Sequence, residues 1–223
     1  MKKDLNFKVW VYGKPFSGKT YFASKFPKPL VLSTDGNASH YDVDVKRIKT
    51  IEEFSNAVDD FIKNDTEHET LVVDVLEHIY DMQRDWYLEK FGIEHEQDKN
   101  DFGKTYAIIR KGFWSIIREL SEIDGKNIVI ISHEDEYVEV SRYGKETTKF
   151  RPNLDDTKEG FHNKIAGIVT FVMRAYTDTD SSGKRTYKLS CGSTGDEFSG
   201  ARLELKNKTF GNTYDEFVKE IVK

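Results

Sequence analysis

The residues of this sequence best suited to chemistry form one short motif near the N-terminus. The motif consists of Gly13, Lys14, Pro15, Phe16, Ser17, Gly18, Lys19 and Thr20. It matches the pattern G-x-x-x-x-G-K-[ST], in which glycines let successive backbone N–H groups face one phosphate-sized concavity. In that pattern Lys19 reaches the β- and γ-phosphates of a nucleotide, and the Thr20 hydroxyl binds Mg²⁺. The motif therefore predicts a site for ATP and Mg²⁺.

The segments on either side of this motif give it the context that its chemistry needs. Residues 7–12 have the pattern of a strand, and residues 21–26 are able to form a helix. A strand that leads into a glycine-rich loop, which in turn opens a helix, brings backbone donors and the positive end of the helix dipole to one point. A chance match in a glycine-containing turn is disfavoured because both flanks fit.

Acidic residues close two further apolar runs, where the carboxyl ends of parallel strands line a ligand crevice. Asp74 ends the run 70–74 and is predicted as the second Mg²⁺ ligand, in preference to a cap of the next helix. Two carboxylates are candidates for orienting or deprotonating the attacking water: Asp35, after the strand 30–34, and Glu77. We favour Asp35, and for either residue the alternative is a solvated or capping carboxylate.

His133 follows another apolar run, residues 127–132, on the same predicted rim of the sheet. A polar side chain at this point is placed to hydrogen-bond the γ-phosphate. The alternative is a histidine whose hydrogen bond goes to a neighbouring backbone carbonyl.

Apolar runs alternate with helical periodicity through the first 132 residues, which indicates an α/β fold. With the glycine-rich loop 13–20, this fold is expected to be of the P-loop NTPase type. We expect a mostly parallel central sheet, helices on both faces and antiparallel hairpins in the C-terminal part, all within one domain over residues 1–223. Helices are predicted over residues 21–26, 51–64, 79–91, 106–120 and 214–222. Strands are predicted over residues 7–12, 30–34, 46–48, 70–74, 127–132, 137–142, 146–150, 168–176, 185–191 and 203–205.

The composition narrows the class of protein. Hydrophobic residues make up 37% of the 223 residues, enough for a folded core. The net charge of −5 argues against an overall basic nucleic-acid binder, although it leaves room for a local basic groove. A single cysteine, Cys191, excludes an internal disulfide. No apolar run approaches membrane length, so we expect a soluble protein of the cytoplasm with no membrane partner.

Together these motifs resemble the RecA-like P-loop ATPases of phages that act in recombination and single-strand annealing. The loop 13–20 and the strand ending in Asp74 match that family directly. Residues 30–35 resemble the RecA strand that ends in a catalytic glutamate, with the shorter Asp35 in its place. Residues 130–133 resemble the strand whose terminal residue senses the γ-phosphate, with His133 in place of glutamine. The resemblance makes the expected fold RecA-like.

The resemblance also implies an oligomer. Residues 201–208 are similar to the RecA strand that ends in Lys-Asn-Lys, whose lysines reach ATP across the protomer interface. By this likeness Lys206 and Lys208 act in trans, as an arginine finger does, and the active form is a homo-oligomeric ring or filament.

Single-stranded DNA is the partner that the resemblance implies, with a single-strand binding protein as a further one. In RecA-like proteins the DNA-binding loops follow the magnesium strand and the sensor strand, here residues 92–105 and 135–164. The first segment is mostly acidic. The second carries cationic and aromatic side chains suited to phosphates and bases, namely Arg142, Lys145, Lys149, Arg151, Lys158, Lys164, Tyr143 and Phe150. An ordinary solvated hairpin is the alternative.

The leading hypothesis is therefore an Mg²⁺-dependent RecA-like ATPase that acts on single-stranded DNA. A small P-loop kinase for a nucleotide or metabolite is the second reading, disfavoured because the central insert is acidic where such kinases carry an arginine-rich lid. A nucleotide-gated interaction module for phage replication or packaging, without appreciable turnover, is the third.

Overall fold

A ten-stranded sheet runs through the protein, and its strand order places the predicted phosphate-binding loop near its middle. The computed structural model describes residues 6–95, 103–154, 160–179, 181–192 and 194–222. The strands are β1 Lys8–Gly13, β2 Pro29–Ser33, β3 Asp44–Arg47, β4 Thr70–Asp74, β5 Asn127–Val140, β6 Glu146–Pro152, β7 Phe171–Thr179, β8 Arg185–Ser190, β9 Gly200–Ala201 and β10 Thr209–Gly211. The helices are α1 Lys19–Ser24, α2 Ile51–Lys63, α3 Leu76–Phe91, α4 Lys104–Glu122, α5 Phe161–Ala166 and α6 Tyr214–Glu220.

The central strands are parallel, as predicted from their continuous apolar runs. The main path of the sheet is β10-β8-β7-β1-β5-β4-β2-β3, and every pair from β7 to β3 is parallel. The carboxyl ends of β1, β2, β4 and β5 therefore meet at one rim of the sheet. The antiparallel strands β8 and β10 extend the sheet on the side of β7, which confirms the α/β fold with an antiparallel C-terminal part.

Helices cover both faces of the sheet because side chains alternate between the faces along each strand. In β1, Trp10 and Tyr12 pack into a core cluster with α2, α3, α4 and α5. Val9 and Val11 face the other way, into a second cluster with α1 and α6. The capping box predicted before α2 is present, with the Glu53 amide donating to Thr50 Oγ1 at 3.2 Å.

Strand β5 differs from its prediction because it continues well beyond residue 132. After His133 it leaves the central sheet and pairs with β6 in an antiparallel register that joins Glu134 to Pro152 and Val140 to Glu146. The hairpin predicted over residues 137–150 is thus the outer half of a central strand. We call the outer half of β5 together with β6 the arm.

The segments expected to be DNA-binding loops are only partly loops. The second one contains the arm and helix α5, Phe161–Ala166, and residues 155–159 lie outside the described part. The first ends where α4 begins at Lys104, and residues 96–102 lie outside the described part as well.

The predicted strand over residues 203–205 is wrong. Only Leu205 forms a bridge, to Ile221 after α6. The Val222 amide donates to Glu204 and the Lys206 amide to Glu220, so this segment pairs with the end of α6 and not with the sheet. The last sheet strand follows it, at Thr209–Gly211.

None of the helices within the described ranges combines the length and the apolar character that a membrane span requires.

Candidate nucleotide-binding site

The glycine-rich loop lies between the end of β1 and the start of α1, and its glycines are required by close contacts. A Cβ atom on Gly13 would lie 2.2 Å from the Ala175 carbonyl oxygen of β7. Gly18 has φ of 89°, and a Cβ atom there would lie 2.3 Å from Asn212 Nδ2. Both residues therefore allow neighbouring elements to approach the loop more closely than a side chain would permit.

Two polar side chains of the loop are buried in it. Lys19 is 7% exposed, and its ammonium donates to the carbonyl oxygens of Gly13 at 2.7 Å and Lys14 at 3.0 Å. Ser17 Oγ is buried and has no hydrogen-bond partner among the described residues. An unpartnered buried donor beside an ammonium group fits a phosphate ligand, because phosphate oxygens accept from both.

Burial lowers the pKa of Lys19, whereas the negative charges of Asp74, Glu77, Glu134 and Asp35 raise it, in that order of decreasing effect. The net field of four nearby carboxylates thus acts on this lysine. Of the two candidates for orienting water, Glu77 has the stronger electrostatic effect on it.

Thr20 and Asp74, the two residues predicted from the sequence to bind Mg²⁺, lie in contact at the rim. The Thr20 hydroxyl donates to Asp74 Oδ2 at 2.9 Å, and Asp74 is 2% exposed. Burial raises the pKa of Asp74 to about 6, although the Thr20 hydrogen bond opposes it. The described residues contain no cluster of three or more metal-binding side chains. A hydroxyl and a carboxylate beside phosphate oxygens fit Mg²⁺, which keeps several waters and takes few protein ligands.

The backbone of Asp74 is held by Thr34, a residue that the sequence did not single out. The Thr34 amide donates to the Asp74 carbonyl at 2.7 Å, and the Val75 amide donates to Thr34 Oγ1 at 3.0 Å. Thr34 Oγ1 also lies 2.9 Å from His78 Nδ1. The peptide bond between Asp74 and Val75 is cis. The hydrogen bonds of Thr34 hold the main chain on both sides of this peptide bond, at the end of β4.

Asp35 lies on the rim, but its oxygens hold the turn that follows β2. Oδ1 accepts from the Asn37 amide at 2.9 Å and from the Ser33 hydroxyl at 3.3 Å. Oδ2 accepts from Asn37 Nδ2 at 2.6 Å. These contacts match the capping alternative for Asp35.

Glu77 and His133 form a pair across the rim. Glu77 Oε1 accepts from the His133 backbone amide at 2.7 Å and lies 2.5 Å from His133 Nδ1. The hydrogen bond to Glu77 raises the pKa of His133, although burial opposes it. Glu77 Oε2 is buried and has no hydrogen-bond partner among the described residues. The partner found for His133 is thus a carboxylate and not a backbone carbonyl.

Lys206 and Lys208 lie before β10, so the expectation that they follow a strand is wrong. Lys206 Nζ donates to the Lys219 carbonyl at 2.9 Å, and the Lys208 carbonyl accepts from the Cys191 amide at 2.8 Å. Strand β10 runs in the same direction as β1, and the two lysines lie at its starting end. The end of β10 nearer the loop is followed instead by Asn212.

The residues predicted to bind DNA are distributed over three places. Arg142 and Lys145 are exposed in the turn of the arm, beside Tyr143, whose side chain is 98% exposed. Along the arm the cations have acidic partners: Lys149 lies 3.4 Å from Glu139 and Arg151 2.8 Å from Asp135.

The other members of that predicted set are away from the tip of the arm. Lys164 is on α5, with its ammonium 5.8 Å from the ring centre of Trp114. Phe150 packs under the Arg174 guanidinium, 3.6 Å from the ring centre. Lys158 lies outside the described residues. The tip of the arm is therefore the one place where the described residues group exposed cations with an exposed aromatic ring from this set.

The parallel sheet and the glycine-rich loop at its rim define a P-loop nucleotide-binding protein. The chain belongs to a family of AAA-type P-loop ATPases, because the family model described as an AAA domain matches residues 5–197. Membership in this family implies a nucleotide-binding site, typically one that uses Mg²⁺. A comparison with curated proteins found no match.

Proposed function

We propose that this protein is an Mg²⁺-dependent ATPase of the RecA-like type that acts on single-stranded DNA. The observation that carries the ATPase proposal is the contact between Thr20 and Asp74, at 2.9 Å, directly beside the glycine-rich loop. Thr20 and Asp74 would hold the metal ion, which when bound neutralises charge on the β- and γ-phosphates. Lys19 and the buried Ser17 hydroxyl would bind the phosphate oxygens.

Glu77 is the better candidate for orienting the attacking water. Asp35 accepts three hydrogen bonds from its own turn, whereas Glu77 has one oxygen held by His133 and the other buried and unpartnered. Buried acceptors without a protein partner are commonly satisfied by ordered water. A water bound to Glu77 Oε2 lies on the rim that also carries Lys19 and Asp74, so it is suited to attack the γ-phosphate.

The proposed reaction is hydrolysis of the bond between the β- and γ-phosphates. The water oxygen forms a bond to the γ-phosphorus while the bond from that phosphorus to the β–γ bridging oxygen breaks. The water proton passes to Glu77, and ADP and phosphate leave. His133 is a positioning residue in this proposal, because it fixes Glu77 Oε1 so that Oε2 faces the water.

The matched variants Glu77→Gln and Asp35→Asn test this assignment. General-base catalysis contributes about 10²- to 10⁴-fold, so Glu77→Gln should lower kcat by about a hundredfold or more with KM little changed. Asp35→Asn should lower kcat by less than about tenfold, because the amide oxygen can still hold the turn. A larger loss of kcat in Asp35→Asn than in Glu77→Gln would assign the role of orienting the water to Asp35. Steady-state phosphate release measures both.

Lys19→Ala tests the nucleotide site itself. We expect it to weaken ATP binding by more than about a hundredfold, because a buried charge-assisted contact to phosphate is removed. Isothermal titration with MgATP measures the loss. Undiminished binding by the variant would contradict the assignment of residues 13–20.

The DNA part of the proposal is supported by the tip of the arm. Arg142 and Lys145 flank the exposed Tyr143, and cations beside an aromatic ring suit the phosphates and bases of single strands. The arm begins at His133, so DNA bound at its tip would be linked to the nucleotide rim through one continuous strand. We therefore expect single-stranded DNA to stimulate ATP turnover.

The double variant Arg142→Ala, Lys145→Ala tests DNA binding. It should lose the stimulation of turnover by single-stranded DNA while its DNA-free turnover stays unchanged. The matched control is Lys46→Ala, Lys49→Ala, which removes two exposed lysines at the far edge of the sheet and should keep the stimulation. Equal loss in both would indicate a general charge effect. ATP binding without turnover, with or without DNA, would support a nucleotide-gated module instead.

A homo-oligomer with Lys206 and Lys208 acting in trans is part of the same proposal. Analytical ultracentrifugation with MgATP and single-stranded DNA tests for assembly. Lys206→Ala, Lys208→Ala should leave ATP binding by the monomer intact and reduce turnover in the assembly. Full turnover by an assembled double variant would remove these lysines from the proposal.

A further inference from the structure

A cavity lies beside the glycine-rich loop, on the side of the C-terminal strands. It has a volume of about 550 Å³ and is formed by the start of α1, by β8 and by the segment around β10. Tyr21 of its wall directly follows Thr20, so the cavity adjoins the residues to which we assign phosphates and Mg²⁺. Its size suits a small organic group and not a macromolecule.

Two tyrosine rings line this cavity and leave part of their surface open. Tyr21 is 39% and Tyr187 is 44% exposed. A Cβ atom on Gly18 would lie 3.1 Å from Cδ1 of Tyr187, so this ring rests directly against the loop. The Tyr21 ring faces Tyr41, with ring centres 6.4 Å apart. The cavity therefore offers flat aromatic surface within reach of the phosphate site.

Several polar side chains of the wall already have partners within the protein. Lys188 pairs with Asp178 at 2.8 Å. The Thr213 hydroxyl donates to Glu216 at 2.7 Å, as part of the cap of α6. The part of the wall that is left without such partners consists mainly of the two tyrosine rings, which are available for stacking.

Asn212 is the exception in this wall. It is 4% exposed, and its Nδ2 donates to the Gly18 carbonyl at 2.9 Å. This bond fixes the orientation of the amide, and Oδ1 has no hydrogen-bond partner among the described residues. A buried acceptor is thereby left unpaired at the junction of cavity and loop.

We propose that this cavity binds the nucleoside part of the nucleotide, with the base stacked on Tyr187 and the ribose beside Asn212. The inference rests on the proposed function, because phosphates in the loop bring the nucleoside to this place. The ribose lies between phosphates and base, so a sugar hydroxyl is the donor that falls nearest Asn212 Oδ1. Stacking uses the face of a base and not its edge, so ATP and GTP should bind with similar affinity, and both should bind better than CTP or UTP.

The test compares MgATP with inorganic tripolyphosphate, which has the phosphates but no nucleoside. Tyr187→Ala should weaken MgATP binding by about ten- to a hundredfold, the loss expected for one base–aromatic stack, and leave tripolyphosphate binding within about twofold. Tyr187→Phe keeps the ring and should bind MgATP within about threefold of the unaltered protein. Tyr176→Ala is the matched control: it changes the same hairpin at a residue outside the cavity wall and should leave MgATP binding unchanged.

The outcomes separate this inference from the proposed function. Unchanged MgATP binding by Tyr187→Ala, or an equal loss for MgATP and tripolyphosphate, would overturn the nucleoside site while leaving the loop assignment intact. A preference of a hundredfold for ATP over GTP would overturn recognition by stacking. If the unaltered protein binds neither MgATP nor tripolyphosphate, the proposed function fails first.

Discussion

Strand β5 passes through two environments, and the contrast between them explains much of this molecule. Its first half, up to Ser132, is buried between β1 and β4. Its second half pairs with β6 alone and becomes exposed toward Val140. The first half is held by burial on both faces, whereas the second depends on cross-strand pairs and ion pairs. The boundary falls at His133, which contacts Glu77 of the candidate site.

Charged groups of the arm should therefore behave differently according to their distance from this boundary. Near the rim, Glu134 has a side chain that is only 1% exposed and binds Arg174 through both oxygens, at 2.7 Å and 3.2 Å. Further out, Glu139 is 60% exposed and lies 3.4 Å from Lys149. Buried ion pairs leave a costly unpaired charge when one partner is lost, while exposed pairs contribute little.

The largest effect is expected at the base of the arm. Glu134→Ala should lower the free energy of unfolding by about 3 kcal/mol, because Arg174 is left largely buried and its ion pair with Glu197 is longer, at 3.5 Å. Chemical denaturation measures this change. Glu139→Ala, on the same strand, is the control and should cost less than about 1 kcal/mol. Similar losses in the two variants would mean that the buried ion pair at the base of the arm contributes no more than the exposed one further out.

A smaller effect is expected in the buried half of β5. The Trp10 indole N–H donates to Ser132 Oγ at 3.0 Å, in the core. Ser132→Ala removes the acceptor and should cost about 1–3 kcal/mol, the penalty of an unpaired buried donor. Ser141→Ala removes a comparable acceptor for the Lys145 amide, but in the exposed turn of the arm, and should cost less than about 1 kcal/mol. A loss as large as that of Ser132→Ala would show that the turn is as tightly held as the core.

The same contrast explains which parts of the fold could be predicted. A strand buried on both faces leaves an unbroken apolar run, so β4 and the first half of β5 were predictable. From His133 onward the sequence of β5 is polar and charged, and nothing local connects it to the central sheet. The short helix α5 was missed because it lies in a polar stretch, and the strand predicted at residues 203–205 was wrong because three alternating residues carry too little information.

The candidate site divides in a similar way. Residues 13–20 and Asp74 were predictable because a motif and a strand end define them locally. Asn212 was not predictable, because it contacts Gly18 across 194 positions of sequence. The sequence favoured Asp35 over Glu77. The hydrogen bonds of Asp35 within its own turn, and the buried Oε2 of Glu77 that has no partner among the described residues, favour Glu77 instead. The position of a carboxylate next to a strand end is thus weaker guidance to its role than the hydrogen-bond partners it has in the fold.

An energetic coupling of about 1 kcal/mol or less is expected between the arm and the glycine-rich loop. Lys14 lies 3.0 Å from Glu136, with side chains 62% and 49% exposed. A double-mutant cycle with Lys14→Ala and Glu136→Ala should give a coupling energy of about 0.2–1 kcal/mol that decreases at high salt. The pair Lys28 and Glu69, similarly exposed at 65% and 53%, is the reference. A coupling far above the reference pair would mean that the loop and the arm are joined more strongly than an exposed ion pair allows.

The smallest effect expected is a pH-dependent contribution of His133 to the free energy of unfolding. The hydrogen bond to Glu77 raises the pKa of His133 above its unfolded value, although burial and Lys19 oppose it. A raised folded pKa stabilises the protein below the unfolded value of about 6.5, and this contribution is lost as pH rises through the folded pKa. His133→Gln should therefore cost more stability at about pH 6 than at about pH 9, by less than about 1 kcal/mol because the side chain is 36% exposed. Denaturation curves across this range measure the difference.

In a Glu77→Gln background the pH dependence of the His133→Gln effect should disappear, since the partner that raises the pKa of His133 has lost its charge. Persistence of the dependence there would show that another negative charge, such as that of Asp74, also raises the pKa of His133.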